Sequence, residues 1–198
     1  MPKIGMEAVR REALIGATIA EVGEAGSLDV TVGRIAARAG VSSALAHHYF
    51  GSKERLFIAS MRAILADWGT TVVARLRGET RPERRLAAIV EASFDPKQCE
   101  PALLSAWLAF YLQAQTVPEA RRLLAVYRAR LRANLVHEFA QLMPRAEAEA
   151  AAHGLGALID GLYIRHAPAE GAPSLAETRA IAHAHLQMLL ARTPVLAA

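Results

Sequence analysis

The sequence predicts an all-α fold: a three-helix head in helix-turn-helix arrangement on a larger all-helical body, about nine helices in all. Three observations carry that expectation. Apolar residues make up 53% of the 198 and charged residues 21%, the balance of a chain that buries a core. Aromatic residues are only 6%, and the abundance of alanine and leucine favours helix over sheet. Apolar positions recur with helical spacing between breaks at glycine and proline, so no segment has to be a strand.

From Met6 to Val22, the residues Val9, Ala13, Ala17 and Ala20 form one stripe with Leu14 and Thr18 beside it, and Gly23 and Gly26 are expected to end the helix. Thr31 can cap a short second helix with Val32, Ile35, Ala36 and Ala39 inward, and Gly40 supplies the left-handed residue that ends it. Ser42 or Ser43 caps a third helix, which runs to about Tyr49. Ser52 caps a long helix through Leu56, Ile64, Leu65 and Val72, broken near Gly78 and Pro82. The remainder divides into helices of about 82–93, 101–115, 118–142, 145–167 and 174–191, separated at Asp95-Pro96, Val117-Pro118, Met143-Pro144 and Pro168 to Pro173. With no low-complexity linker, a head of residues 1–56 and a body of 57–198 are expected to join through the helix after Ser52 instead of a tether.

Composition excludes several function classes. Cys99 is the only cysteine, so neither an intrachain disulfide nor a cysteine zinc cluster can form, and a reducing, cytoplasmic setting is the simplest reading. The charged residues between Lys3 and Glu12 interrupt any signal-peptide core, and Ala102 to Ala114 is too short against the roughly 20 residues a membrane span needs. His47 and His48 point about 100° apart on a helix, and His183 and His185 about 200°, so neither pair has the spacing of a helical zinc site. No HExxH, GxSxG, P-loop or GxGxxG pattern occurs, and nothing around Cys99 marks a nucleophile. The expectation is a protein with no catalytic residue, metal or cofactor.

The segment from Thr31 to Glu54 carries the function. Ala36 is the small inward residue, Gly40 the left-handed turn and Val41 the apolar lock of a helix-turn-helix. The second helix of such a motif must be slim enough for the major groove and carry polar tips that reach bases or phosphates. Ser42, Ser43, His47, His48 and Tyr49 supply tips, and Ala44 and Ala46 keep it slim. Thr31, Arg34, Ser43, Tyr49 and Lys53, with the amides of the helix capped by Ser52, are the candidate phosphate donors. Lys3, Arg10, Arg11 and Ala46 complete the set expected to face double-stranded DNA, a partner that the net charge of +4 suits.

These residues resemble the TetR-type transcriptional regulators: Thr31 to Gly40 matches the first half of their motif, followed by His48-Tyr49-Phe50 and Ser52-Lys53-Glu54. The resemblance implies an all-helical C-terminal body with an inducer pocket and a dimer made by the last two helices. A closer resemblance is to the choline-responsive branch that represses glycine betaine synthesis. It lies in Met1 to Met6 with Arg10-Arg11, Ala106 to Phe110, Asn134 to Phe139 and Gly154 to Tyr163. Ala44 to His47 departs from that branch, so the operator is expected to differ in detail.

A quaternary ammonium ligand such as choline is held by aromatic faces and a carboxylate, because it has no N–H to donate. Trp107, Phe110, Tyr111, Tyr127 and Tyr163 are the candidate aromatics, and Asp160 lies one helical turn before Tyr163. The same residues can be read as core aromatics, with Asp160 paired to Arg165 or another base. Another cation, a lipid or an acyl thioester is the alternative inducer. Gly154, Gly156 and Gly161, each costly inside a helix, imply either close approach of a partner helix or clearance near Asp160.

Overall fold

A computed structural model of the chain describes residues 5–166 and 173–191. Among the described residues there are nine α-helices and no strand: α1 (Met6–Ala25), α2 (Val32–Arg38), α3 (Ser43–Phe50), α4 (Lys53–Leu76), α5 (Pro82–Ser93), α6 (Pro101–Thr116), α7 (Pro118–Phe139), α8 (Arg145–Arg165) and α9 (Leu175–Ala191). They fall into two compact units, one running up to Ala66 with Pro101–Leu123 added, the other made of Asp67–Glu100 and the chain from Leu124 onward. The backbone of α4 passes without a break from one to the other.

In the first unit α1 packs along α6 and against α2. Its buried face is Leu14, Ala17, Thr18, Glu21 and Val22, which corrects the expected stripe. Val9 is 57% exposed and Ala13 is exposed as well. Alanine is at home on either side of a helix, so a run of alanines gives little direction, whereas Leu14, Thr18 and Val22 at four-residue steps do. Gly23 does not end α1, which continues to Ala25 and stops at Gly26, φ 61°. Gly23 is instead where α6 crosses: a Cβ added there would lie 2.4 Å from Ala102 Cα. Because the obstacle is backbone, Gly23→Ala is expected to destabilise the fold by about 1–3 kcal/mol of overpacking despite the better helix propensity of alanine. A urea midpoint equal to that of the parent chain would show that the crossing is loose.

The turn chemistry is local and matches the sequence reading. Thr31 Oγ1 accepts from the Arg34 amide at 3.2 Å, Ser42 Oγ from Leu45 at 3.2 Å and Ser52 Oγ from Arg55 at 3.2 Å. Gly40, φ 67°, ends the α2 segment while the Val41 amide reaches back to Ala36 O at 3.0 Å.

The second unit holds the C-terminal part of α4, then α5, most of α7, α8 and α9 around Trp68, Leu86, Ile89, Phe94, Leu135 and Phe139. Arg85 ends α4 from the side, donating to Leu76 O at 3.3 Å and Glu79 O at 2.8 Å while pairing with buried Glu138 at 2.8 Å. Two helices stop short of the expected ends. Beyond Phe139 the chain tightens into turns before Pro144 instead of staying helical to 142, and α8 ends at Arg165. Of the break expected at Pro168 to Pro173, all but Pro173 lies outside the described residues. Among the described residues, one helix is long and apolar enough to cross a membrane: α4, with mean hydropathy 1.3, and half of that window is buried, as in a core helix.

Candidate nucleic-acid interface and ligand cluster

On α3 the side chains of Ser43, Ala44, His47 and His48 are exposed and Tyr49 is half-buried. Ala46 is 1% exposed, so it fills the inner face of α3 and cannot reach a base, which removes it from the DNA-contacting set. His47 Nδ1 lies 3.2 Å from Gly51 O. A carbonyl only accepts, so Nδ1 carries the hydrogen and Nε2 is the ring atom left for a base edge.

The N-terminal part of α1 braces the far end of this helix. The Arg11 guanidinium sits 5.2 Å from the ring centroids of both Tyr49 and Phe50, with its Nε on Glu7 at 2.9 Å. Arg11 thus orients Tyr49, while Arg10 is exposed; Lys3 lies outside the described residues. On α2, Arg34 is 59% exposed and pairs at 2.8 Å with Glu21, whose carboxylate is 6% exposed. Arg38 reaches the same carboxylate at 2.7 Å and also pairs with Glu24. A carboxylate with so little water is tolerated because two guanidinium groups meet it. Sequence reading missed Arg38; the signal available was its place one turn after Arg34 on the same face.

Two expected phosphate donors have other partners. Lys53 is half-buried and its ammonium donates to Leu28 O at 3.0 Å, which ties the loop before α2 to the start of α4. The N-terminus of α4 is already served by Glu54, whose carboxyl is held below its ordinary value by its own backbone N–H and by Ser52. A phosphate arriving there meets a carboxylate first.

The expected ligand residues divide between the two units. In the first, Trp107 and fully buried Phe110 meet edge-on at 5.5 Å, and Trp107 and Tyr111 are tilted at 5.8 Å. In the second, Asp160 Oδ1 accepts from Tyr127 Oη at 3.3 Å and Oδ2 lies 3.6 Å from Arg128 Nε, so its base is Arg128 and not Arg165. The Tyr127 ring in turn stands edge-on to Trp68 at 5.2 Å. Tyr163 Oη donates to Gln98 O at 2.5 Å. Trp68 was not legible as a site residue, since its place in a long apolar helix gives no sign of what faces it.

Cys99 is 7% exposed, and burial pushes its thiol up to about 11, so it is an un-ionised packing residue at neutral pH. No group of three or more His, Cys, Asp or Glu placed to hold a metal occurs among the described residues.

Comparison with known proteins bears on both units. The family described as bacterial regulatory proteins, tetR family, matches residues 14–60, and that described as BetI-type transcriptional repressor, C-terminal, matches residues 82–191. A protein from Brucella melitensis named HTH-type transcriptional regulator BetI is 46% identical over 194 residues, 98% of each chain. A solved transcriptional regulator from Pseudomonas aeruginosa PAO1 shares 28% identity with TM-score 0.79, over 92% of this chain and 90% of that one. Another, from Saccharomonospora viridis and solved in complex with choline, shares the fold at 22% identity and TM-score 0.75, over 89% and 95%.

Proposed function

The chain belongs to the tetR family of bacterial regulatory proteins and, within it, to the BetI-type transcriptional repressors, and from that premise we propose that this DNA-binding repressor acts on the choline-to-glycine-betaine pathway as a choline-responsive cytoplasmic homodimer. The observation that carries the choline reading is Asp160, a half-buried carboxylate hydrogen-bonded by Tyr127, whose ring packs on Trp68. A trimethylated ammonium needs a counter-charge and ring faces and has nothing to offer a hydrogen-bond acceptor, which is the chemistry this cluster provides.

Dimerisation is assigned to α8 and α9. A Cβ at Gly154 or Gly161 would meet nothing within 4 Å inside the protomer, so neither glycine is required by its own chain's packing. Ile164, Ile181 and Met188 on the same two helices are 44%, 46% and 57% exposed, an apolar surface suited to a second copy. The dimer would set two α3 helices in successive major grooves, about 34–36 Å apart. His47, His48 and Ser43 would face bases, and Arg10, Arg34, Ser42, Tyr49 and Thr31 the backbone, with Lys53 and Arg11 bracing the frame. Since α4 is continuous from Lys53 to Leu76, it is the element through which ligand would bias the DNA-binding unit, with a typical coupling of about 1–3 kcal/mol.

Fluorescence anisotropy on DNA from upstream of the protein's own gene tests this reading. Sequence-specific binding that weakens with choline, and not with the uncharged isostere 3,3-dimethylbutanol, is expected. Specific binding indifferent to both would return the inducer to the alternatives of another cation, a lipid or an acyl thioester.

A further inference from the structure

Gln98, in the turn between α5 and α6, is a buried polar residue, 3% exposed. The turn is closed by its own hydrogen bonds. Asp95 O accepts from the amides of Gln98 at 2.8 Å and Cys99 at 3.1 Å, and Asp95 Oδ1 accepts from the Lys97 amide at 3.2 Å. Within the second unit it is then tied outward on two sides. Toward α4, Gln98 Nε2 donates to Asp67 Oδ2 at 2.8 Å, and Arg75 Nη2 donates to Asp95 Oδ2 at 2.6 Å. Toward α8 and α9, Gln98 O accepts from Tyr163 Oη at 2.5 Å, and Phe94 O accepts from Arg179 Nη2 at 2.6 Å. Asp67 and Arg75 are about 12 Å apart along a helix rising 1.5 Å per residue, so the turn grips α4 at two separated points.

Gln98 holds both sides at once. Its carbonyl receives the α8 tyrosine and its side-chain amide gives to the α4 carboxylate, so a displacement of Tyr163 moves a peptide group whose own side chain is fastened to α4. We propose that Gln98 is a positioning residue that couples Tyr163 to α4, and through that helix carries occupancy of the ligand cluster to the DNA-binding unit. The inference deepens the proposed function and rests on it for the identity of the effector.

The deciding experiment needs no ligand. Hydrogen exchange of the α4 amides beyond Asp67 is followed in the parent chain, Tyr163→Phe, Gln98→Leu and the double variant. Tyr163→Phe is expected to speed exchange about fivefold in the parent background and to have little effect once Gln98 is leucine. Effects that multiply independently would overturn the relay. If Gln98→Leu does not fold, Asp67→Ala cuts the same link together with the 2.7 Å Lys97–Asp67 ion pair, at a carboxylate that is 38% exposed; Lys97→Ala removes the ion pair alone and, like Asp67→Asn, which keeps an oxygen acceptor, is expected to retain the coupling. In a second arm, the ratio of DNA affinities without and with choline is expected to fall toward one in Gln98→Leu while choline still binds. A parent chain whose DNA affinity ignores choline would sink the effector and leave the exchange cycle to decide the relay.

Discussion

His47→Ala is expected to weaken binding to the preferred DNA site roughly 5- to 150-fold, the worth of about 1–3 kcal/mol for one good base contact, and to relax preference at a single base pair. The ring is exposed on α3 and its Nδ1 is committed to Gly51 O, so Nε2 has a defined direction toward a base edge. Arg34→Ala should behave differently. Its guanidinium is 59% exposed at the rim of the motif, and a lost phosphate contact lowers affinity for all sequences alike and makes the salt dependence shallower by about one ion. Glu21 keeps Arg38 in that variant, so the buried carboxylate does not become unpaired and the fold should hold. Binding isotherms at several salt concentrations, on the preferred site and on single-base variants, separate the two signatures. Equal loss on every sequence for His47→Ala would mean that α3 does not enter the groove with this face.

What could be read from the sequence was what neighbouring residues decide. Thr31, Ser42 and Ser52 cap helices through atoms three residues on, and Gly40 takes a positive φ that the turn requires, so the motif is legible in the sequence itself. Gly23 misled because its reason is Ala102, far along the chain, and a glycine needed for a close crossing looks like one that stops a helix. The face of α1 was misjudged for a related cause: alanine gives no direction, and Glu21, a charge that ordinarily marks the solvent side, is turned inward by two arginines on α2. In the candidate ligand cluster the aromatic and acidic types were visible, but their partners lie on other helices. Arg128 and Tyr127 meet Asp160 across 32 and 33 positions, and the sequence has no period that announces such pairs.

Those partners set the second large expectation. Asp160→Asn should lower choline affinity roughly 10- to 150-fold, as loss of a charge-assisted contact worth about 1.5–3 kcal/mol, and leave DNA affinity in the absence of choline within about threefold. Removal of the competing guanidinium should act in the opposite sense. Arg128 Nε stands 3.6 Å from the same carboxylate, so Arg128→Gln takes away both a rival for Asp160 and a positive charge near an arriving cation, and choline affinity should rise severalfold. The isostere 3,3-dimethylbutanol separates electrostatics from damage to the fold, because it fills the same volume without charge and its binding should be indifferent to Asp160→Asn. Trp107→Ala asks the complementary question of the other aromatic set, where Trp107 meets Phe110 and Tyr111. A loss of choline affinity there comparable with that of Asp160→Asn would bring those rings into ligand binding. An unchanged affinity would leave them as core and assign recognition of the cation to Asp160, Tyr127 and Trp68. Calorimetry with both ligands on the four chains reads every arm, and a parent-like choline affinity in Asp160→Asn would remove the carboxylate, and with it the cation, from the proposed mechanism.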